Sequence, residues 1–279
     1  IVVDYFKGAA RTDVFVYAKL ADKVIKTLRS RTYLLALLRD IQEVELVGTR
    51  KQPKTVINGV ITRWTTNYGA YRRVLELQVP LMKLAADPRI FLSGDEESHE
   101  KIREMIAIIR GEGGQANALF WHGLARYVIK RQLEPLAIAS HVTQADTCRL
   151  DDVLLIFGHL YKFYMDLPDA EDAPARTAVL RSLEKRWSKA DQDVFFAAVL
   201  LNPYKKHEPF NAMLTDLLAP AHIHILFTRL FKRFFPDDSA DDRNLPTLAM
   251  VMDYLTGSGS FTHIRITLDS IAKEAHAKV

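Results

Sequence analysis

"LDDVLLIFGHLYKFYMDL", Leu150 to Leu167, is the stretch on which the fold turns. Leu150, Val153, Leu154, Phe157, Leu160, Tyr161 and Tyr164 recur at steps of three and four, which sets all seven on one helical face. A second stripe is equally regular: Ile223, Leu226, Phe227, Leu230, Phe231 and Phe234, with Pro236 to stop it. Less clean runs of the same period cover about 12–29, 32–46, 65–86, 97–110, 116–142, 172–202, 206–219 and 246–256. The expectation is an all-α, multi-helix fold, helical over about two-thirds of its length or more, with both stripes buried. Strand signals are few. The best is "KTVINGVIT" (54–62), whose Asn58-Gly59 reads as a tight turn, so at most a short hairpin is expected near 55–62.

Breaks between the runs are short. "LSGDEESHE" (92–100) and "PDAEDAPART" (168–177) read as exposed acidic linkers that end in helix-start signals. Pro135 falls where apolar periodicity continues on both sides, so it should kink a long buried helix rather than end it. No internal repeat or low-complexity tract appears, and nothing clearly separates two domains. We therefore read 1–279 as one helical domain, with lead-in helices over 1–50 and a helical body over 51–279.

Bulk composition excludes some classes. The chain has 279 residues, 48% hydrophobic and 26% charged, which is ordinary for a globular protein with a sizeable core. Its net charge of +4 permits nucleic-acid binding without demanding it. The single cysteine, Cys148, excludes an internal disulfide and a thiolate zinc cluster. No apolar run of about 18 residues could span a bilayer, so no membrane partner is expected. "IVVDYFKGAAR" (1–11) is too short and too interrupted by charge for a secretory signal, and it lacks an initiator Met, which we read as the mark of a fragment.

Chemical motifs are sparse. His222 and His224 are two apart and point to different sides of a helix. Asp237, Asp238, Asp241 and Asp242 crowd one loop but lack the spacing and closing glutamate of a calcium site. "RGEGGQ" (110–115) and "TGSGSF" (256–261) follow no strand and lead to no Lys-Ser/Thr, so they read as helix-ending turns rather than phosphate loops. Cys148 has no nominated partner histidine. No active-site constellation is visible, and neither a cofactor nor a metal is expected in this chain. Basic and aromatic residues are more suggestive. Arg229, Lys232 and Arg233 fall opposite the second apolar stripe, Arg72 and Arg73 lie away from the Tyr68–Tyr71–Leu75–Met82 face, and Arg181, Lys185, Arg186 and Lys189 surround Trp187. Arginine forks match phosphate oxygens and aromatic faces stack on unpaired bases. Any surface helix shows cations opposite its apolar stripe as well.

The order of the segments adds a resemblance. "TRWTTNY" (62–68) after "IVVDYFKGAAR", then "LARYVIKRQLEPLAIASHVTQADTCRLDDVLLIFGHLYKFY" (124–164), then "WSKADQDVFFAAVLLNPYKKHEPF" (187–210), resembles the hAT transposase-like proteins of fungal type, over nearly the whole chain. The most specific pieces are Thr62-Arg63-Trp64, the "LEPLA…QADTCRLDD" stretch, and "AAVLLNPY", which is similar to that family's hydrophobic–Leu-(Asp/Asn)-Pro signature. In that family a large all-α insertion interrupts a ribonuclease-H-like catalytic domain, and this chain looks like that insertion with a short lead-in. The resemblance implies a nuclear protein that holds transposon-end or hairpin DNA, Trp64 stacking on a flipped base and Arg63 on the neighbouring phosphate. Self-association is a further implied partner. The family's upstream aspartates with their Cys-x-x-His companion, and its downstream Ser-x-x-Glu-Arg segment, are not found here. Mg2+ or Mn2+ is therefore expected only for a complete catalytic domain, and this chain should not be an enzyme by itself.

Two readings of Trp64 stand side by side: a stacking residue at the mouth of a helical domain, or a packing partner of Tyr68 one turn later. At the level of function, a DNA-interacting helical domain, a domesticated scaffold that binds other proteins, and an unrecognised enzyme are the three classes to be separated.

Overall fold

A computed structural model describes residues 13–59, 64–168, 172–206, 208–210, 218–238 and 241–277, with side chains at all of these except 13–15, 64–65, 112, 127–131, 175, 269 and 271–277. The protein is all-α: 73% is helical and no strand forms among the described residues. In chain order the α-helices are α1 (Asp13–Arg29), α2 (Thr32–Glu45), α3 (Trp64–Glu76), α4 (Gln78–Leu84), α5 (Glu96–Ile109), α6 (Ala118–Gly123), α7 (Glu134–Thr143), α8 (Leu150–Met165), α9 (Ala173–Trp187), α10 (Gln192–Leu200), α11 (Pro220–Phe234), α12 (Leu248–Thr256) and α13 (Thr262–Ala277). Apart from 206–219, whose described residues form turns, the helical runs read from periodicity are found at nearly their expected positions, with three of them divided. The run at 65–86 breaks at Leu77, because the Pro80 ring opposes the carbonyl of Glu76 and lacks the N–H of a continuing helix. The run at 172–202 breaks at the turn before Asp191, whose carboxylate accepts from the Val194 N–H and so starts α10. Ahead of Pro135 the helix widens to π hydrogen bonding over Leu124–Leu133, and Pro135 then sits in the first turn of α7, where its missing N–H costs nothing. Residues 207 and 211–217 of the run at 206–219 lie outside the described residues.

Ends of helices follow local chemistry. Asp95 accepts from the Ser98 N–H at 2.9 Å and starts α5 within the acidic linker, with Glu96 and Glu97 in the favourable first turn. Gly257 ends α12 at φ +65°, a left-handed conformation that glycine adopts without strain, so "TGSGSF" is a helix-ending turn. The second acidic linker departs from expectation. Asp172 is fully buried rather than exposed, and Gln132 donates to its carboxylate at 3.4 Å.

The chain clusters into two compact units, Ile1–Gln144 with Leu160–Glu184, and Ala145–His159 with Lys185–Val279. The first is built on Val24, Ile25 and Leu28 of α1, Leu34 and Leu38 of α2, Val74 of α3, Leu81 and Leu84 of α4, and Ile102 and Ile109 of α5. Each such side chain, moved from water to this interior, contributes about 1.5–3 kcal/mol. Two aromatic side chains inside the unit have their polar tips bonded: the Trp121 indole donates to Ile109 O at 3.0 Å, and the Tyr164 hydroxyl to Gln132 O at 2.6 Å. The second unit packs Leu200, Ile223 and Val251 together and sets Trp187 against Phe157, Phe195 and Phe196 at 6.5, 6.1 and 5.9 Å between ring centres.

Both decisive stripes are helical, yet neither is buried along its whole length. Leu160 and Tyr164 are enclosed, whereas Leu150 is 48% and Tyr161 41% exposed. Ile223 and Leu230 are enclosed, while Phe234 is 55% exposed, because the last turn of α11 lines an open groove.

The strand candidate forms no hairpin among the described residues. Residues 51–59 carry no regular structure, and 60–63 lie outside the described residues. Instead of a partner strand, side chains from three helices take three consecutive carbonyls. Gln42 of α2 donates to Lys54 O at 2.9 Å and accepts from Lys54 N at 2.9 Å. Arg73 of α3 donates to Thr55 O at 2.9 Å, and Arg29 of α1 to Val56 O at 3.3 Å. At Gly59 a Cβ would meet the end of the Asn67 side chain at 1.9 Å, so any larger residue there would require Asn67 to shift.

Replacing Gln42, which is 5% exposed, tests this arrangement. Gln42→Leu leaves both Lys54 backbone groups unpartnered and should cost about 1–3 kcal/mol in urea unfolding. Arg39→Ala, at an exposed ion pair with Glu43, should change stability by no more than about 0.5 kcal/mol. Equal stability of the Gln42 variant and the wild type would show that water serves the loop as well.

Candidate nucleic-acid interface

Trp64 is the first residue of α3; its side chain and the whole of Arg63 lie outside the described residues. Two turns later, Arg72 and Arg73 reach the same carboxylate, Glu76, at 3.5 and 3.1 Å. Lys54, arriving from the clamped loop, reaches it at 2.8 Å. Helical spacing explains the arginines, which stand three and four residues before Glu76, and the Gln42 clamp explains the lysine. Three cations therefore share one carboxylate. Lys54 and Arg72 point outward, their side chains 52% and 61% exposed, whereas Arg73 is 24% exposed and divided between Glu76 and the Thr55 carbonyl. Glu76 lies below the ordinary carboxylate range, chiefly because Lys54 donates a hydrogen bond to it, with Arg73 adding a second. Nearby, the Tyr68 hydroxyl donates to Glu134 at 3.1 Å, and burial, together with that carboxylate, raises the phenol above its usual range.

The basic face of α11 has a different character. Arg229 pairs with Asp193 and Arg233 with Asp191, so the acidic first turn of α10 neutralises two of the three cations expected to grip phosphate. Lys232 is exposed and has no acidic partner among the described residues. Trp187, with cations around it in sequence, is a packing residue of the aromatic cluster. Between α10 and α11 runs an apolar groove of about 390 Å³, lined by Leu150, Val194, Ala197, Ala198, Leu201, Phe227, Leu230, Phe231, Phe234, Phe235 and Pro246.

Sequence reasoning missed a polar cluster around Asp151. Asp151, 2% exposed, accepts from Asn202 Nδ2 at 2.6 Å, from Lys205 Nζ at 2.8 Å and from Arg149 Nε at 3.1 Å. Lys205 also reaches Asp152 at 2.7 Å, and Asn202 Oδ1 accepts from the Tyr204 N–H at 3.0 Å. These residues belong to the "CRLDD" and "LLNPYKK" stretches, which meet here. The signal was present as charge facing charge, but about fifty residues of sequence hide which acid meets which base. Burial alone would raise the Asp151 carboxyl; the hydrogen bonds from Lys205 and Asn202 and the Arg149 charge outweigh it and hold it at about 2. So saturated a carboxylate is a poor proton acceptor, and its work is to tie the two segments together. Among the described residues, no three His, Cys, Asp or Glu side chains converge as a metal would need, and no helix is long and apolar enough to cross a membrane.

Comparison of the chain with family models, with curated proteins and with solved structures finds no match.

Because the folded pKa of Asp151 is depressed, its contribution is complete above the unfolded value and is lost as pH falls. About 2 kcal/mol of stability present near neutrality should fade between about pH 5 and pH 2, roughly half of it by pH 3. Urea unfolding of wild type and Asp151→Asn at pH 6 and pH 3 reads this directly. The variant should start less stable at pH 6 and lose about 1 kcal/mol less on acidification.

Proposed function

We propose that this chain is a DNA-interacting helical domain of a hAT transposase-like protein, acting in the nucleus on transposon-end or hairpin DNA. Three quoted motifs in family order support the family, and the excess of cations around Glu76, at the helix that Trp64 opens, carries the DNA contact. In this reading Trp64 stacks on an unpaired base, Arg63 and Arg72 take phosphates, and Arg73 braces the loop that presents Lys54. Arg229 and Arg233, each already matched by an aspartate, contribute little, and Lys232 is the one of that trio left to meet phosphate. Strand cleavage belongs to carboxylates outside this chain.

Fluorescence anisotropy with hairpin and plain duplex DNA over a salt series tests the reading. Trp64→Ala should weaken hairpin binding about ten-fold, since stacking on one base is worth about 1–3 kcal/mol, and leave duplex affinity nearly unchanged. Arg72→Ala should weaken every DNA form and flatten the slope of log affinity against log salt by about one. Absence of salt-sensitive binding by the folded wild type would sink the proposal. With Mg2+ or Mn2+ added, the purified chain should neither nick nor join DNA; nicking that copurifies with the protein would assign it an active site.

The apolar groove beside α11 favours a second reading, a scaffold that docks another protein. Phe234 and Phe235 are 55% and 52% exposed at its rim, more apolar surface than a solvated helix end needs. Salt separates the two readings, because phosphate contacts lose affinity steeply with it and an apolar contact does not.

A further inference from the structure

We propose that Glu76 is a built-in competitor for DNA phosphate, an internal anion that fills the cradle of Lys54, Arg72 and Arg73 until a phosphate takes a share of it. The inference rests on the DNA-binding reading above and deepens it. Carboxylate and phosphate oxygens are alternative acceptors for the same guanidinium and ammonium donors. The cradle is already assembled around such an acceptor, with Lys54 at 2.8 Å, Arg73 at 3.1 Å and Arg72 at 3.5 Å. Its parts are held from behind. Gln42 fixes the Lys54 backbone at both N and O, and the Thr55 carbonyl holds Arg73, so little ordering remains when an anion arrives. The outer two cations are more than half exposed and open to a backbone phosphate. One negative charge against three positive ones leaves a surplus that attracts DNA while lowering the gain from each contact. Glu76 thereby sets the affinity at a moderate value.

Removing the charge while keeping the shape provides the test. Glu76→Gln should bind both duplex and hairpin DNA about five-fold more tightly near 0.1 M salt, with a slope of log affinity against log salt steeper by about one. Lys54→Met should do the reverse, weakening binding and flattening the slope by about one. Circular dichroism and urea midpoints check that both variants fold, and if Glu76→Gln does not, the Lys54→Met result decides. Wild-type binding that depends on Arg72 but is unchanged or weakened by Glu76→Gln, or indifferent to Lys54→Met, overturns the competitor and leaves the DNA reading standing. A wild type with no salt-sensitive affinity for DNA overturns both.

Discussion

Three consecutive backbone carbonyls, at Lys54, Thr55 and Val56, are each held by a side chain from a different helix, and the candidate site hangs on that clamp. Backbone polar groups that leave regular structure need partners as much as those within it. A neighbouring strand would have supplied them in a ladder, but here Gln42, Arg73 and Arg29 do so one at a time. The arrangement commits two arginines to structure and places the Lys54 side chain beside α3. Segment and helix thus come to present one charged surface, even though the segment has no secondary structure of its own.

Electrostatic balance distinguishes the two groups of arginines that look alike in sequence. On α11, Arg229 and Arg233 each have an aspartate from the first turn of α10, an arrangement that also suits the dipole of that helix. Around Glu76, one acid answers for three bases. Exposed pairs of either kind are worth little to the fold, so the difference between them concerns the field presented to solvent rather than stability.

Period-based reading recovered most of the helices, though not α13, because amphipathic spacing is a local property, written within each segment. It placed a helix start within 92–100 and a helix-ending turn at 256–261 for the same reason, where the structure has the Asp95 cap and Gly257. It allowed at most a short hairpin at 55–62; no strand forms among the described residues there, and the pairing is made by side chains far away in sequence. It overstated the burial of Leu150, Tyr161 and Phe234, since period tells which face a residue shares but not how much of that face is covered. Of the site, Arg72 and Arg73 were legible as cations at the right helix. Lys54 and Glu76, which decide their electrostatic setting, were not, because their meeting depends on the clamp.

The tie between Asp151 and Asn202 has a kinetic side. It closes a loop of 51 residues, and loop closure carries an entropic cost that grows as the logarithm of loop length, whereas helix turns form from neighbours within a microsecond or less. A contact between such distant segments is expected to form late, on the native side of the folding barrier. Its loss is then felt in the rate at which the folded chain comes apart, while the rate of folding changes little. The persistence of the native state in time thus falls in part to two short segments, one opening α8 and the other just past the end of α10.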